Sequence, residues 1–123
     1  MNPDSCEVAA SSLAGPEIVA LPAEIDLTNA PRVRDELRAA LAPGVPIVVA
    51  DMSRTVLCDS AFCRYLLIVH HLAVASRAEL RIVTDSPGVL RVLKATGADR
   101  ILTIYPALRA ALTAVPARVP QPP

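Results

Sequence analysis

The chain has 123 residues, 53% of them hydrophobic, which is the size of one domain with one sizeable core. Twelve Lys and Arg balance twelve Asp and Glu, and Lys94 is the single lysine, so composition disfavours a nucleic-acid binder or a charge-driven membrane binder. Two Tyr, one Phe and no Trp leave neither a base-stacking platform nor an aromatic sugar cleft.

Residues 6–10 (CEVAA) read as a short edge strand, and SSLAGP makes a turn. EIVALP (17–22) reads as a strand that ends at Pro22. In AEIDLTNAP, Thr28 or Asn29 is placed to cap a helix with Pro31 in its first turn. Val33, Leu37 and Leu41 give that helix one apolar face, and Pro43 and Gly44 stop it. PIVVAD (46–51) is apolar on both sides, as a buried parallel strand should be. MSRTVLC reads as a connecting loop. A second helix is expected from near Asp59–Ser60 to about Ser76, with Phe62, Leu66, Val69, Leu72 and Ala73 at helical spacing. ELRIV (79–83) is the next strand. Asp85 or Ser86 caps a third helix, with Pro87 in its first turn, Val89, Leu90 and Leu93 on its buried face and Gly97 after its end. ILTI (101–104) is a last strand, and residues 107–113 form a final short helix.

Strands alternating with helices predict an α/β fold with right-handed crossovers. The expected sheet is mostly parallel, with about four to five strands, an antiparallel N-terminal edge strand and about four helices. In such sheets sites gather at the C-terminal ends of strands, which singles out AEIDLTNAP and TVLCDSAF. No run approaches the roughly 20 apolar residues of a membrane span. The run around Leu66 is cut by His70 and His71, and the N-terminal residues do not read as a secretory signal.

Three stretches resemble the STAS domain of the anti-sigma factor antagonist family. Ala23-Glu24-Ile25-Asp26-Leu27-Thr28-Asn29-Ala30 is similar to the family's G-E-(I/L)-D-x-x-(N/S)-A. Asp59-Ser60-Ala61-Phe62 stands where the family has D-S-S-G, after the IVVAD strand and a loop. Leu80 to Gly97 resembles the segment L-x-(I/L)-V-x-x-S-P-x-V-x-x-(V/L)-L-x-x-(T/S)-G. On this resemblance residues 6–113 form a single STAS domain, between a flexible N-terminus at 1–5 and a Pro-rich flexible tail at 114–123.

The resemblance implies a regulatory protein-binding module rather than an enzyme. Such an antagonist binds an anti-sigma factor, often itself a serine kinase, and so frees the sigma factor. Phosphorylation of the serine that maps onto Ser60 ends the interaction. The partner-binding residues then become Asp26, Thr28, Asn29, Asp59, Ser60, Ala61 and Phe62. Elementary electrostatics agrees: a helix N-terminus tolerates a phosphate, whereas about −1.5 to −2 added charges beside Asp26 and Asp59 repel a partner arranged for a neutral hydroxyl.

Each of these residues also has a plainer reading. Ser60 or Asp59 serves as a helix cap, and Asp26 caps the first helix. Phe62, in the position of the family's glycine, either obstructs a kinase, anchors a partner as an exposed aromatic, or fills the core. The anchor reading gives an alternative function, a degenerate STAS scaffold that binds partners without phosphorylation. The three cysteines Cys6, Cys58 and Cys63 are too few for a disulfide scaffold and read as a reducing, cytoplasmic setting. Cys58, Cys63, His70 and His71 lack the spacing of zinc sites, and no phosphate-cradling glycine motif occurs, so no metal and no cofactor is expected. The free protein is expected to be a monomer without nucleic-acid or membrane partners.

Overall fold

The computed structural model describes residues 15–114. In chain order the elements are β1 (Glu17–Ala20), β2 (Glu24–Ile25), α1 (Ala30–Ala40), β3 (Ile47–Asp51), β4 (Leu57–Cys58), α2 (Ser60–Ala75), β5 (Glu79–Val83), α3 (Pro87–Ala95), a 3-10 turn (Ala98–Arg100), β6 (Thr103–Tyr105) and α4 (Leu108–Thr113).

The main sheet runs β1-β3-β5-β6, and every pair is parallel. Each strand adds to the same edge, so right-handed crossovers carry α1, α2 and α3 over one face. Strand alternation sends Val48, Ala50, Leu80 and Ile82 toward those helices. Val49 and Val83 face the other side, where they pack with Ala111 of α4. Coverage on two faces is why IVVAD and ELRIV are almost continuously apolar. The α/β class, the mostly parallel sheet and the helices are as expected. The edge strand expected at 6–10 lies outside the described residues, as do the loose N-terminus at 1–5 and all of the tail beyond residue 114.

Four local expectations are corrected. Residues 52–58 are not all loop, because Leu57–Cys58 form β4, which pairs in parallel with β2. Two residues per strand are too few for alternation to show in a sequence. Leu72 and Leu90 are on the flanks of their helical stripes and stay exposed, while Phe62, Leu66, Val69 and Ala73 of α2 and Val89 and Leu93 of α3 are buried. The 3-10 turn takes up the chain before the last strand, so Ile101 is exposed and β6 starts at Thr103. Asn29 is the N-cap position of α1, yet neither it nor Thr28 makes a side-chain cap bond.

Arg81 is a charge in the middle of a central strand, and its side chain is fully buried. The guanidinium reaches the far face of the sheet, where Nη1 donates to the Ala111 carbonyl in the last turn of α4. That end of a helix carries free carbonyls and the negative pole of its dipole. Nη2 donates to Glu79 Oε1 at 3.1 Å, and the group sits 5.5 Å from the Tyr105 ring centroid. Arg81 thereby ties α4 to β5. Arg77, with φ of 59°, takes the left-handed position that closes α2, where Ala78 N–H donates to Ala73 O and Arg77 N–H to Val74 O.

Candidate functional site

The small β2–β4 pair joins the two sequence stretches singled out above. Val56 N–H donates to Ala23 O at 2.8 Å and Asp59 N–H to Ile25 O at 3.2 Å, in a register that sets Glu24 beside Leu57 and Ile25 beside Cys58. Ile25 and Cys58 point inward and are buried; Glu24 and Leu57 point outward. The chain then leaves both strands at the same edge, Asp26 from one and Asp59 from the other.

Asp59 caps α2. Its Oδ1 accepts from Phe62 N–H at 2.9 Å, and it has extended backbone dihedrals, as a cap requires. Ser60 is therefore the first helical residue. It is exposed, and its hydroxyl has no partner among the described residues. Of the two cap candidates, Asp59 does the capping and the Ser60 hydroxyl stays available. Ala61 is half-buried beside it.

Asp26 braces a closed turn instead of capping α1 with its side chain. Its Oδ1 accepts from Thr28 N–H at 2.9 Å and from the Thr28 hydroxyl. Asn29 Oδ1 accepts from Asp26 N–H, and Asn29 Nδ2 donates to Glu24 O, each at 2.9 Å. The Thr28 hydroxyl, with the Thr28 amide behind it, holds the Asp26 carboxyl below its ordinary value. Asp26 is thus a rigidly held, exposed, ionised carboxylate on the same edge as Ser60.

Phe62 is corrected as a partner-binding residue. Its side chain is fully buried in the main core, so it offers no aromatic anchor to a partner. The exposed apolar side chains here are others: Leu27 is 76% exposed, Val56 61% and Leu57 57%. Sequence reasoning passed over them because Val56 and Leu57 fall in a segment read as loop. The alternation across β4, Leu57 outward and Cys58 inward, is the signal that would have found them.

A cavity of about 450 Å³ opens between the end of β1 and α1, lined by Leu21, Pro22, Arg32, Val33, Glu36 and Arg54 among others. Ser60 does not line it. The described residues hold no group of three or more His, Cys, Asp or Glu side chains placed to bind a metal. Cys58 and Cys63 lie in the core, while His70 stands edge-on to His71 with ring centroids 5.3 Å apart. Partial burial, with the neighbouring His71 adding to it, holds His70 below its ordinary value. No helix among the described residues is long and apolar enough to cross a membrane.

Comparison with known proteins places this geometry. A model of the STAS domain matches residues 9–111. No curated protein matches the chain significantly in sequence. Among solved structures, an anti-sigma factor antagonist from Mycobacterium paratuberculosis is similar over 81% of this chain and 85% of its own, with TM-score 0.73 and 27% identity. The unphosphorylated form of the anti-sigma factor antagonist SpoIIAA matches over 79% of this chain and 85% of its own, with TM-score 0.66 and 17% identity. A STAS-domain anti-sigma factor antagonist from Planctomyces limnophilus covers 77% and 85%, with TM-score 0.68 and 20% identity. The last two likenesses bear on the fold alone.

Proposed function

The chain belongs to the STAS domain family, and from that premise we propose that it acts as an anti-sigma factor antagonist, a non-enzymatic cytoplasmic module that binds an anti-sigma factor and so releases a sigma factor. The partner is of the serine-kinase type and meets the free protein as a monomer. Asp26, Thr28, Asn29, Asp59, Ser60 and Ala61 form the polar part of the binding surface. Leu27, Val56 and Leu57 supply apolar area beside it. Phosphorylation of Ser60 by the partner ends the complex.

The observation that carries this reading is the state of the Ser60 hydroxyl. Asp59 relieves it of capping, so it is exposed at the first position of α2. A phosphate there is stabilised within its own domain by the free amides and the helix dipole. Across a partner surface its charge, next to Asp26 and Asp59, is repelled and poorly solvated. The burial of Phe62 favours the switch over the constitutive scaffold, because it leaves that alternative without its aromatic anchor.

The test is binding to a serine-kinase anti-sigma factor of the host, followed by calorimetry. Wild type and Ser60→Ala should bind alike. Ser60→Asp should fold, since aspartate suits a helix N-terminus, but bind at least about tenfold more weakly, roughly 1.4 kcal/mol. With ATP and the partner, wild type should gain the mass of one phosphoryl group and Ser60→Ala none. Equal binding by both variants, or phosphoryl gain in Ser60→Ala, would exclude the Ser60 switch.

A further inference from the structure

The turn that carries Ser60 is bracketed by two buried thiols. Cys58 immediately precedes the cap Asp59, and Cys63 is the fourth residue of α2. At a helix start these two positions are those whose side chains meet across the cap, where an apolar pair commonly closes the turn. Here the pair is Cys58 and Cys63. Both are free, both are buried, and both belong to the main core cluster, Cys58 held there by its pairing with Ile25. An apolar pair would fill the same positions, so packing alone does not call for two thiols.

We propose that Cys58 and Cys63 form a redox site, a dithiol that closes to a disulfide across Asp59–Phe62 and thereby clamps the turn bearing Ser60.

The two sulfurs are chemically unlike. The neighbouring Cys58 thiol, with the Thr96 side chain behind it, holds Cys63 below its ordinary value, against the opposing effects of burial and of the Asp59 carboxylate. The same interaction and its own burial push Cys58 up. Cys63 also lies in the first turns of α2, where the helix N-terminus favours a thiolate. Cys63 is therefore the attacking sulfur and Cys58 the resolving thiol. With a peroxide as oxidant, the Cys63 thiolate takes one oxygen, the O–O bond breaks, and the other oxygen leaves as water after protonation. The Cys58 sulfur then displaces the hydroxyl from Cys63, the S–O bond breaks, and the hydroxyl leaves with the Cys58 proton as a second water. The two thiols lose two electrons and two protons, and one hydrogen peroxide becomes two waters. Access comes through β2–β4, where two residues per strand make a pairing that opens locally more readily than the main sheet.

The chemistry is independent of Ser60 phosphorylation; only its effect on partner binding rests on the proposed function. The test uses the full chain with Cys6→Ser, so that Cys58 and Cys63 are the remaining thiols. Native protein is treated with hydrogen peroxide, unfolded under alkylating conditions and weighed. The expected result is a loss of two hydrogens, a peptide linking Cys58 to Cys63, reversal by dithiothreitol, and a rate that rises with pH as the attacking thiol ionises. Adding Cys58→Val, which keeps an apolar filler, should leave Cys63 to take up oxygen instead. Adding Ser60→Ala should leave the loss of two hydrogens and the Cys58–Cys63 peptide in place, which separates this chemistry from the phosphorylation switch. The proposal is overturned if both thiols of native protein remain alkylatable, or if Cys63 gains oxygen while Cys58 stays free.

Discussion

The dipeptide Asp-Ser occurs at the start of two helices, and the two copies do opposite things. At α2, Asp59 is the cap and accepts from Phe62 N–H, so Ser60 falls inside the helix with its hydroxyl unused. At α3, Ser86 is the cap; its hydroxyl accepts from Val89 N–H at 3.4 Å, and Asp85 lies outside the helix, exposed. Pro87 explains the second frame, because a residue before proline is biased away from helical dihedrals while proline itself suits the first helical position. No proline follows Ser60, and the pairing of β4 with β2 places Asp59 at the end of an extended segment, where a cap belongs. One residue of frame separates a serine spent on structure from a serine open to chemistry.

The comparison predicts a graded set of losses in urea unfolding. The largest sits on the residues whose amides receive the caps, since Phe62 and Val89 are both fully buried. Phe62→Ala should cost about 3–5 kcal/mol and Val89→Ala distinctly less, because the cavity is smaller. Equal losses would mean that the first turn of α2 is not anchored by its aromatic ring. Next come the caps. Asp59→Ala and Ser86→Ala should each cost about 1 kcal/mol, whereas Ser60→Ala should stay within about 0.5 kcal/mol. A Ser60→Ala loss as large as that of Ser86→Ala would break the distinction.

The smallest effect concerns the turn beside Ser60, which has no counterpart at Ser86. Asp26 has its folded pKa lowered by Thr28, so its contribution is present above its unfolded value of 3.8 and is lost as pH falls through the folded value. Asp26→Asn should therefore flatten the fall of Tm between pH 5 and pH 2, limits chosen to bracket a carboxylate of about 3.9. An acid limb identical to wild type would show that the turn is held by Asn29 alone.

The elements with a clear period were legible in the sequence. ELRIV is β5 residue for residue, and the helix expected from Asp59–Ser60 runs over Ser60–Ala75. The stretches that form the candidate site were legible as well, since both lie at strand ends in any right-handed α/β sheet. What escaped was short or depended on the opposite layer. β4 is too brief to show alternation, and its outward Leu57 went unnoticed with it. Leu72 and Leu90 have the residue type of a core position but lie off the buried stripe, which only the seating of the helices defines. Arg81 reads as an ordinary strand residue until α4 presents its terminal carbonyl to it.

The sequence by itself determined the layered architecture, because strand and helix periods together with proline and glycine stops leave one right-handed way to alternate these segments. It also determined that an acidic residue and a serine sit at each of two helix starts. Only the tertiary structure decided which serine is free, that Phe62 turns inward, and that Cys58 and Cys63 are both buried in the core on either side of the cap. Those outcomes depend on where the β2–β4 pair holds the chain before α2 and on which face of α2 the sheet covers. Both are contacts between residues far apart in the chain, and local propensity carries no record of them.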